Sequence, residues 1–276
     1  MSFLERILAE KRREVEERSR SVPLKDLEAR AGLAPAVRSL KRALRPGGPP
    51  GPGAHGAEKP RVLAEVKKAS PSKGVIREDF DPVGIARAYE RAGAAAISVL
   101  TDGPFFQGSL DHLRAIREAV ALPLLRKDFI VDPYQVWESR AAGADAILLI
   151  LAAVPDDNRM ADLAREAREL GLEILWEVHD AGDLRRAIAL GPEIIGINNR
   201  SLRTFEVSLE TTRSLLPGIP PGVVKVSESG FARREEIETM RGWGVDAFLI
   251  GESLMRAPDP GAALGMLLEP PKEVRP

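Results

Sequence analysis

The chain has no cysteine, which excludes disulfides, thiolate metal ligands and a cysteine nucleophile. Its three histidines, His55, His112 and His179, lack the spacing of a metal-ligand set. No apolar run reaches membrane-spanning length, and the opening segment MSFLERILAEKRREVEERSR is too charged for an export signal. An excess of one charge is missing too. Forty basic residues face 41 acidic ones, closely mixed, so the net charge of −1 offers no basic field to nucleic acid. Asparagine and glutamine are scarce (three and two residues), a bias shared by thermophiles and GC-rich genomes. These absences lead us to expect a soluble, cytoplasmic protein from a thermophile. Two of the three asparagines, Asn198 and Asn199, are adjacent.

What is present is a 276-residue chain, 44% apolar, with enough material for a substantial core. Residues 3–19 read as a charged amphipathic helix with Phe3, Leu4, Ile7, Leu8 and Val15 at helical spacing. A weaker helical pattern runs over 24–44, and the Pro/Gly stretch RPGGPPGPGAHGAEKP that follows can only be loop. After residue 60 strand-length apolar runs fall at 61–66, 96–100, 122–126, 145–150, 172–176, 193–198, 223–227 and 246–250, with helical segments between them. Four helix ends carry a glycine just before the next apolar run (RAGAAAISVL, AAGADAILLI, ALGPEIIGIN, GWGVDAFLIG), the mark of a C-cap leading into a buried parallel strand. Eight such units without a G-x-G-x-x-G predict an α/β fold, a (β/α)8 TIM barrel over 61–276, with a helical extension and Pro/Gly loop over 1–60.

In such a barrel the C-terminal strand ends carry the chemistry. Side chains alternate along a strand, so Leu63, Glu65 and Lys67 share a face, about 6.5–7 Å apart. If Leu63 packs the interior, Glu65 and Lys67 stand above it in the mouth. The same parity sets Lys127 above Leu125, Glu177 above Leu175, and Asn198 and Arg200 in line with Gly196. At the seventh strand Lys225 and Glu228 cannot both face inward, and Glu228 lies nearer the end. A lysine and a glutamate in a partly dry cavity suit proton transfer, though from parity alone a structural ion pair is an equal reading. Arg200 offers a fork for an oxygen anion. His179 reads as the start of a loop or a helix cap, and His55 and His112 as surface residues. SESG at 227–230 and GES at 251–253 occupy the usual phosphate position after strands seven and eight. The first βα loop, 69–81, carries Lys73 and Gly74 and could act as a lid.

Together these residues are specific. The ordered set E-x-K-x-x-S-P-S-x-G, S-x-L-T, L-x-x-K-D-F, W-E-V-H, I-N-N-R, S-E-S-G and I-G-x-S-L-M, over about residues 61–256, resembles the indole-3-glycerol phosphate synthase family. The resemblance implies a small phosphorylated substrate, 1-(2-carboxyphenylamino)-1-deoxyribulose 5-phosphate, cyclised with loss of CO2 and water. It implies no cofactor, metal or nucleic acid, and we expect a monofunctional monomer. By motif position Lys127 resembles the general acid of ring closure and Glu177 the general base of dehydration. Lys67 resembles the holder of the substrate carboxylate, tuned by Glu65, with Asn198, Arg200 and Glu228 beside the reacting oxygens. Ser70, Ser229, Gly230, Gly251 and the backbone of Glu252 resemble substrate and phosphate contacts; Phe106 and Phe129 are candidate walls for the aromatic ring. Some relatives carry a small hydroxyl residue at the position of Glu252, so its carboxylate is expected to point to solvent. A phosphoribosylanthranilate isomerase would need a Cys/Asp pair not found here. A Schiff-base aldolase using Lys67 or Lys127, or an inactive phosphate-binding scaffold, is a further alternative.

Overall fold

A computed structural model describes residues 2–48 and 59–269. Eight parallel strands close into a barrel: β1 (Arg61–Val66), β2 (Ala96–Leu100), β3 (Leu124–Lys127), β4 (Ala146–Ile150), β5 (Glu173–Val178), β6 (Ile194–Asn198), β7 (Val224–Glu228) and β8 (Ala247–Ile250). Each pairs with its sequence neighbour, and β1 closes the ring against β8. The apolar runs predict every strand, with ends displaced by up to two residues. The start of β3 moves by two, because Pro123 has no N–H for the ladder. The four glycines marked as helix ends, Gly93, Gly143, Gly191 and Gly244, all adopt positive φ. Aspartates cap many helix starts, as Asp81, Asp132, Asp156 and Asp180 do, each bonding the first free N–H groups of its helix.

The extension holds the barrel at both ends. Helix α1 (Phe3–Ser21) runs across the mouth, where Phe3, Leu4 and Ile7 face the cavity described below. The pattern over 24–44 is not one helix but two, α2 (Leu24–Leu33) and α3 (Leu40–Leu44). Pro35 is the reason, since it forces Ala34 into extended backbone with ψ 143°. Helix α3 restarts at the Ser39 cap and docks under the barrel. There Ser39 Oγ and the Lys41 N–H donate to the two oxygens of Glu173, both at 2.7 Å, and the Arg38 N–H donates to Asp145 at 2.7 Å. Most of the loop over 45–60, including His55, lies outside the described residues. The loop expected as a lid contains a short antiparallel hairpin, Ala69–Ser70 with Gly74–Val75.

Candidate active site

The barrel mouth opens into a cavity of about 550 Å³, within the range of small-molecule sites. All the strand-end residues singled out above line it: Glu65, Lys67, Lys127, Glu177, Asn198 and Glu228, with Arg200 just past β6. Register sets their heights. Asn198 pairs with Glu228 across β6 and β7, and Glu177 pairs with Gly196 across β5 and β6. A Cβ at Gly196 would meet Glu228 Oε1, so any larger residue there would force that carboxylate to shift. Gly251 is constrained in the same way by Glu65 Oε2. Small residues on the barrel wall thus make room for the carboxylates.

Two lysines and three glutamates from the strand ends pair within this space. Lys67 Nζ pairs with Glu65 Oε2. Lys127 Nζ lies 2.9 Å from Glu177 Oε2 and 3.7 Å from Glu228 Oε2. Burial disfavours the Lys127 ammonium, but Glu177, then Glu228 and Glu65, outweigh it and hold its pKa above the ordinary lysine range. Burial also opposes ionisation of Glu177, yet Lys127, then His179, bring its pKa down to about 2. Glu228 goes the other way. Burial, then the charge on Glu177, push it well above an ordinary carboxyl, and Lys127 offsets this only in part. Neither oxygen of Glu228 has a hydrogen-bond partner among the described residues. One lysine cannot neutralise two buried carboxylates, so Glu228 is the more easily protonated of the two and Glu177 the more easily ionised.

The adjacent asparagines divide their work. Asn198 faces the cavity, whereas Asn199 is buried behind it. Asn199 donates to Ser227 Oγ at 3.0 Å and to the Ser229 carbonyl at 3.1 Å, and accepts from Thr212 Oγ1 at 2.8 Å. This fixes the turn in which Ser229 and Gly230 both take positive φ, at 69° and 96°. Ser229, Gly230 and Gly251 line the cavity beside it, as does Ser70, whose buried hydroxyl has no hydrogen-bond partner among the described residues. Phe106 and Phe129 form one wall, with ring centroids 6.3 Å apart. Lys225 faces away and pairs with Asp246 at 3.8 Å, leaving the inward position to Glu228.

The side chain of Glu252 does not point to solvent. It turns into the mouth, where it meets Arg200 Nη2 at 3.1 Å and Arg256 Nε at 3.3 Å. The two guanidiniums draw it in, and Arg256 lies one helical turn further along the same short helix, Glu252–Arg256. His179 follows β5 but is not the helix cap, which is Asp180. His112 is half-buried and packs edge-on against Phe80. Sequence reasoning missed several lining residues: Phe3, Leu4 and Ile7 of α1, Leu202, Phe205 and Val207 after β6, and Arg256. It also missed Asp128, which anchors the strand end next to Lys127 and is treated below. Among the described residues no group of three or more His, Asp or Glu could hold a metal ion, and no helix is long and apolar enough to cross a membrane.

The closed parallel barrel, with ionisable side chains gathered at the C-terminal ends of its strands, defines a (β/α)8-barrel enzyme. Residues 4–267 match the family model of indole-3-glycerol phosphate synthase, and the chain belongs to that family. A curated indole-3-glycerol phosphate synthase from Azoarcus sp. (strain BH72) is 52% identical over 267 residues, covering 96% of this chain and 98% of that protein. Solved structures share the fold at low identity. A 3-hexulose-6-phosphate synthase from Salmonella typhimurium aligns with TM-score 0.60 at 13% identity, covering 75% of this chain and 96% of that one. A thiamine phosphate pyrophosphorylase from Pyrococcus furiosus aligns with TM-score 0.56 at 15% identity, covering 83% and 96%.

Proposed function

We propose that the chain is an indole-3-glycerol phosphate synthase, a carboxy-lyase of tryptophan biosynthesis. It converts 1-(2-carboxyphenylamino)-1-deoxyribulose 5-phosphate to indole-3-glycerol phosphate, CO2 and water. The observation that carries the reading is the close set of Lys127, Glu177 and Glu228, facing the Lys67–Glu65 pair across one cavity. Lys127 is the acid that protonates the ketose oxygen as the ring closes. Glu177, held ionised, is the base that takes the C–H proton in dehydration. Lys67 holds the departing carboxylate and Glu65 keeps that lysine aimed. Asn198 and Arg200 bind hydroxyls and oxyanions. Ser229, Gly230, Gly251 and the Glu252 amide cradle the phosphate, Ser70 adds a hydroxyl donor, and Phe106 and Phe129 flank the aromatic ring. The enzyme works as a cytoplasmic monomer without cofactor or metal, and its scarce amides and dense ion pairs suit a thermophile.

Adding the carboxyphenylamino-deoxyribulose phosphate to the protein should produce indole absorbance. If no indole chromophore forms, the assignment fails. If borohydride traps a covalent substrate–lysine adduct, the acid role of Lys127 or the carboxylate-holding role of Lys67 fails instead. The inward turn of Glu252 gives a second expectation. Its carboxylate is paired with Arg200, so an anion that binds this guanidinium must displace it. Glu252→Gln should therefore lower KM about five-fold with kcat unchanged, corresponding to roughly 1 kcal/mol for a partly solvated charge. Steady-state kinetics check this, and a raised KM would mean that the pair holds Arg200 in place for the substrate.

A further inference from the structure

Glu177 has two oxygens, and only one meets Lys127. Oε2 lies 2.9 Å from Lys127 Nζ, whereas Oε1 lies 3.3 Å from Nε2 of His179. The other imidazole nitrogen, Nδ1, stands 3.7 Å from Oδ2 of Asp183, in the first turn of the helix Ala181–Ala189. Asp183 also accepts the His179 backbone N–H at 3.1 Å and has Arg186 Nη1 at 4.0 Å. Both imidazole nitrogens are buried and make no closed hydrogen bond, so the two carboxylates are the groups they face. Neither His179 nor Asp183 lines the cavity. They sit behind Glu177, and both side chains keep an edge in solvent, at 14% and 12% exposure.

The proposed reaction has a use for a line of proton carriers in this place. In ring closure the aromatic carbon bearing the carboxylate attacks the ketose carbonyl; a C–C bond forms and the carbonyl oxygen takes one proton. The carboxylate leaves as CO2, and its bonding electrons restore the aromatic ring. The new hydroxyl takes a second proton and leaves as water, while a C–H proton goes to the base and its electrons form the C=C bond. Two protons are given and one is recovered, so each turnover takes up one proton from solvent. Lys127 can recover the first from Glu177 across 2.9 Å. The other is needed while the intermediate still fills the mouth, under Phe3, Leu4 and Ile7.

Resting on the assignment of Glu177 as the base, we infer that His179 and Asp183 form a relay that brings a solvent proton to Glu177 and Lys127 from behind the bound intermediate. Asp183 takes a proton from water and passes it to Nδ1 of the imidazole. The imidazole releases the proton on Nε2 to Glu177, which hands it to the Lys127 amine, and a half-turn of the ring resets the tautomer. No electron changes hands. His179 touches no substrate; it acts through Glu177.

The test uses the intact enzyme. His179→Ala should lower kcat about ten-fold, at the lower end of general acid–base effects, with KM within about two-fold. Imidazole added to the buffer should restore several-fold of the lost kcat, which a purely structural role would not produce. A kcat within two-fold of the unmodified enzyme, or a loss that imidazole leaves untouched, overturns the relay. If His179→Ala does not fold, Asp183→Asn keeps an acceptor for the His179 N–H and should lower kcat about ten-fold at unchanged KM. A normal kcat in that variant also overturns it. Glu177→Gln separates the two readings. If it is inactive while His179→Ala is fully active, only the relay fails; if Glu177→Gln is itself active, the base assignment fails.

Discussion

Lys127→Ala is expected to reduce kcat by about 10³-fold or more, combining a lost proton donor with a lost charge beside the reacting oxygen. The protein should still fold, because Lys127 contributes no apolar packing to the barrel interior and stands in a cavity that water can enter. Its removal changes the proton balance of its neighbours. Glu177 then loses the cation that, against burial, brings its pKa from 4.5 down to about 2. A depressed carboxyl pKa contributes stability that is present above the ordinary value and lost as pH falls through the depressed one. The unmodified enzyme should therefore keep a stability advantage over the variant near neutral pH that shrinks as pH falls from about 4.5 toward 2. Activity assays paired with denaturant titrations at pH 7 and pH 3 check both parts. Near-normal turnover would transfer the acid role to Lys67, the other lysine in the cavity.

The barrel and most of its mouth were legible because both obey periodicities that survive in one dimension. Strand alternation placed Glu65 and Lys67 on the inner face and allowed only one of Lys225 and Glu228 there, and nearness to the strand end favoured Glu228. The glycines before the strands marked where helices stop, and their positive φ values are the reason. Glu252 turns inward against expectation because attraction to two guanidiniums outweighs the repulsion of a phosphate. The attraction of Arg256 was visible four residues on, while that of Arg200 required the barrel to close. Lys11 was the harder case. In EKRREVEER it looks like any solvated helix charge, yet it follows Phe3 and Ile7 at i+8 and i+4 and so continues their buried face. The break at Pro35 was readable from the proline itself. The pairing of His179 with Asp183 had no such mark, since it depends on how the chain turns after β5.

Lys11→Met should be the most destabilising single change on the extension, by about 3–5 kcal/mol, and it should also weaken substrate binding. Lys11 is 1% exposed, and its ammonium lies 2.8 Å from Asp102 and 2.9 Å from Asp128. Asp128 is also bound by Arg126 at 3.0 Å and by the Thr101 hydroxyl at 2.6 Å, and Arg126 reaches on to Glu138 at 3.3 Å. Methionine fills the volume but leaves two aspartates buried without their shared cation. Burial opposes the charge on Lys11, yet Asp128 and Asp102 raise its pKa, so its contribution is whole below the ordinary lysine value and fades only above it. Burial likewise opposes the charge on Asp128, but Lys11 and Arg126 depress its pKa, so its contribution fades only in strong acid. The loss should therefore be flat between about pH 5 and 9, measured as a change in denaturation midpoint. Because Asp128 adjoins Lys127 and α1 carries Phe3, Leu4 and Ile7 over the cavity, releasing the latch should also raise KM and open α1 to limited proteolysis. Lys11→Arg retains the charge and should recover part of both effects. If KM stays normal in Lys11→Met while the midpoint falls, α1 stabilises the barrel without shaping the site, and the aromatic wall must rest on Phe106 and Phe129 alone.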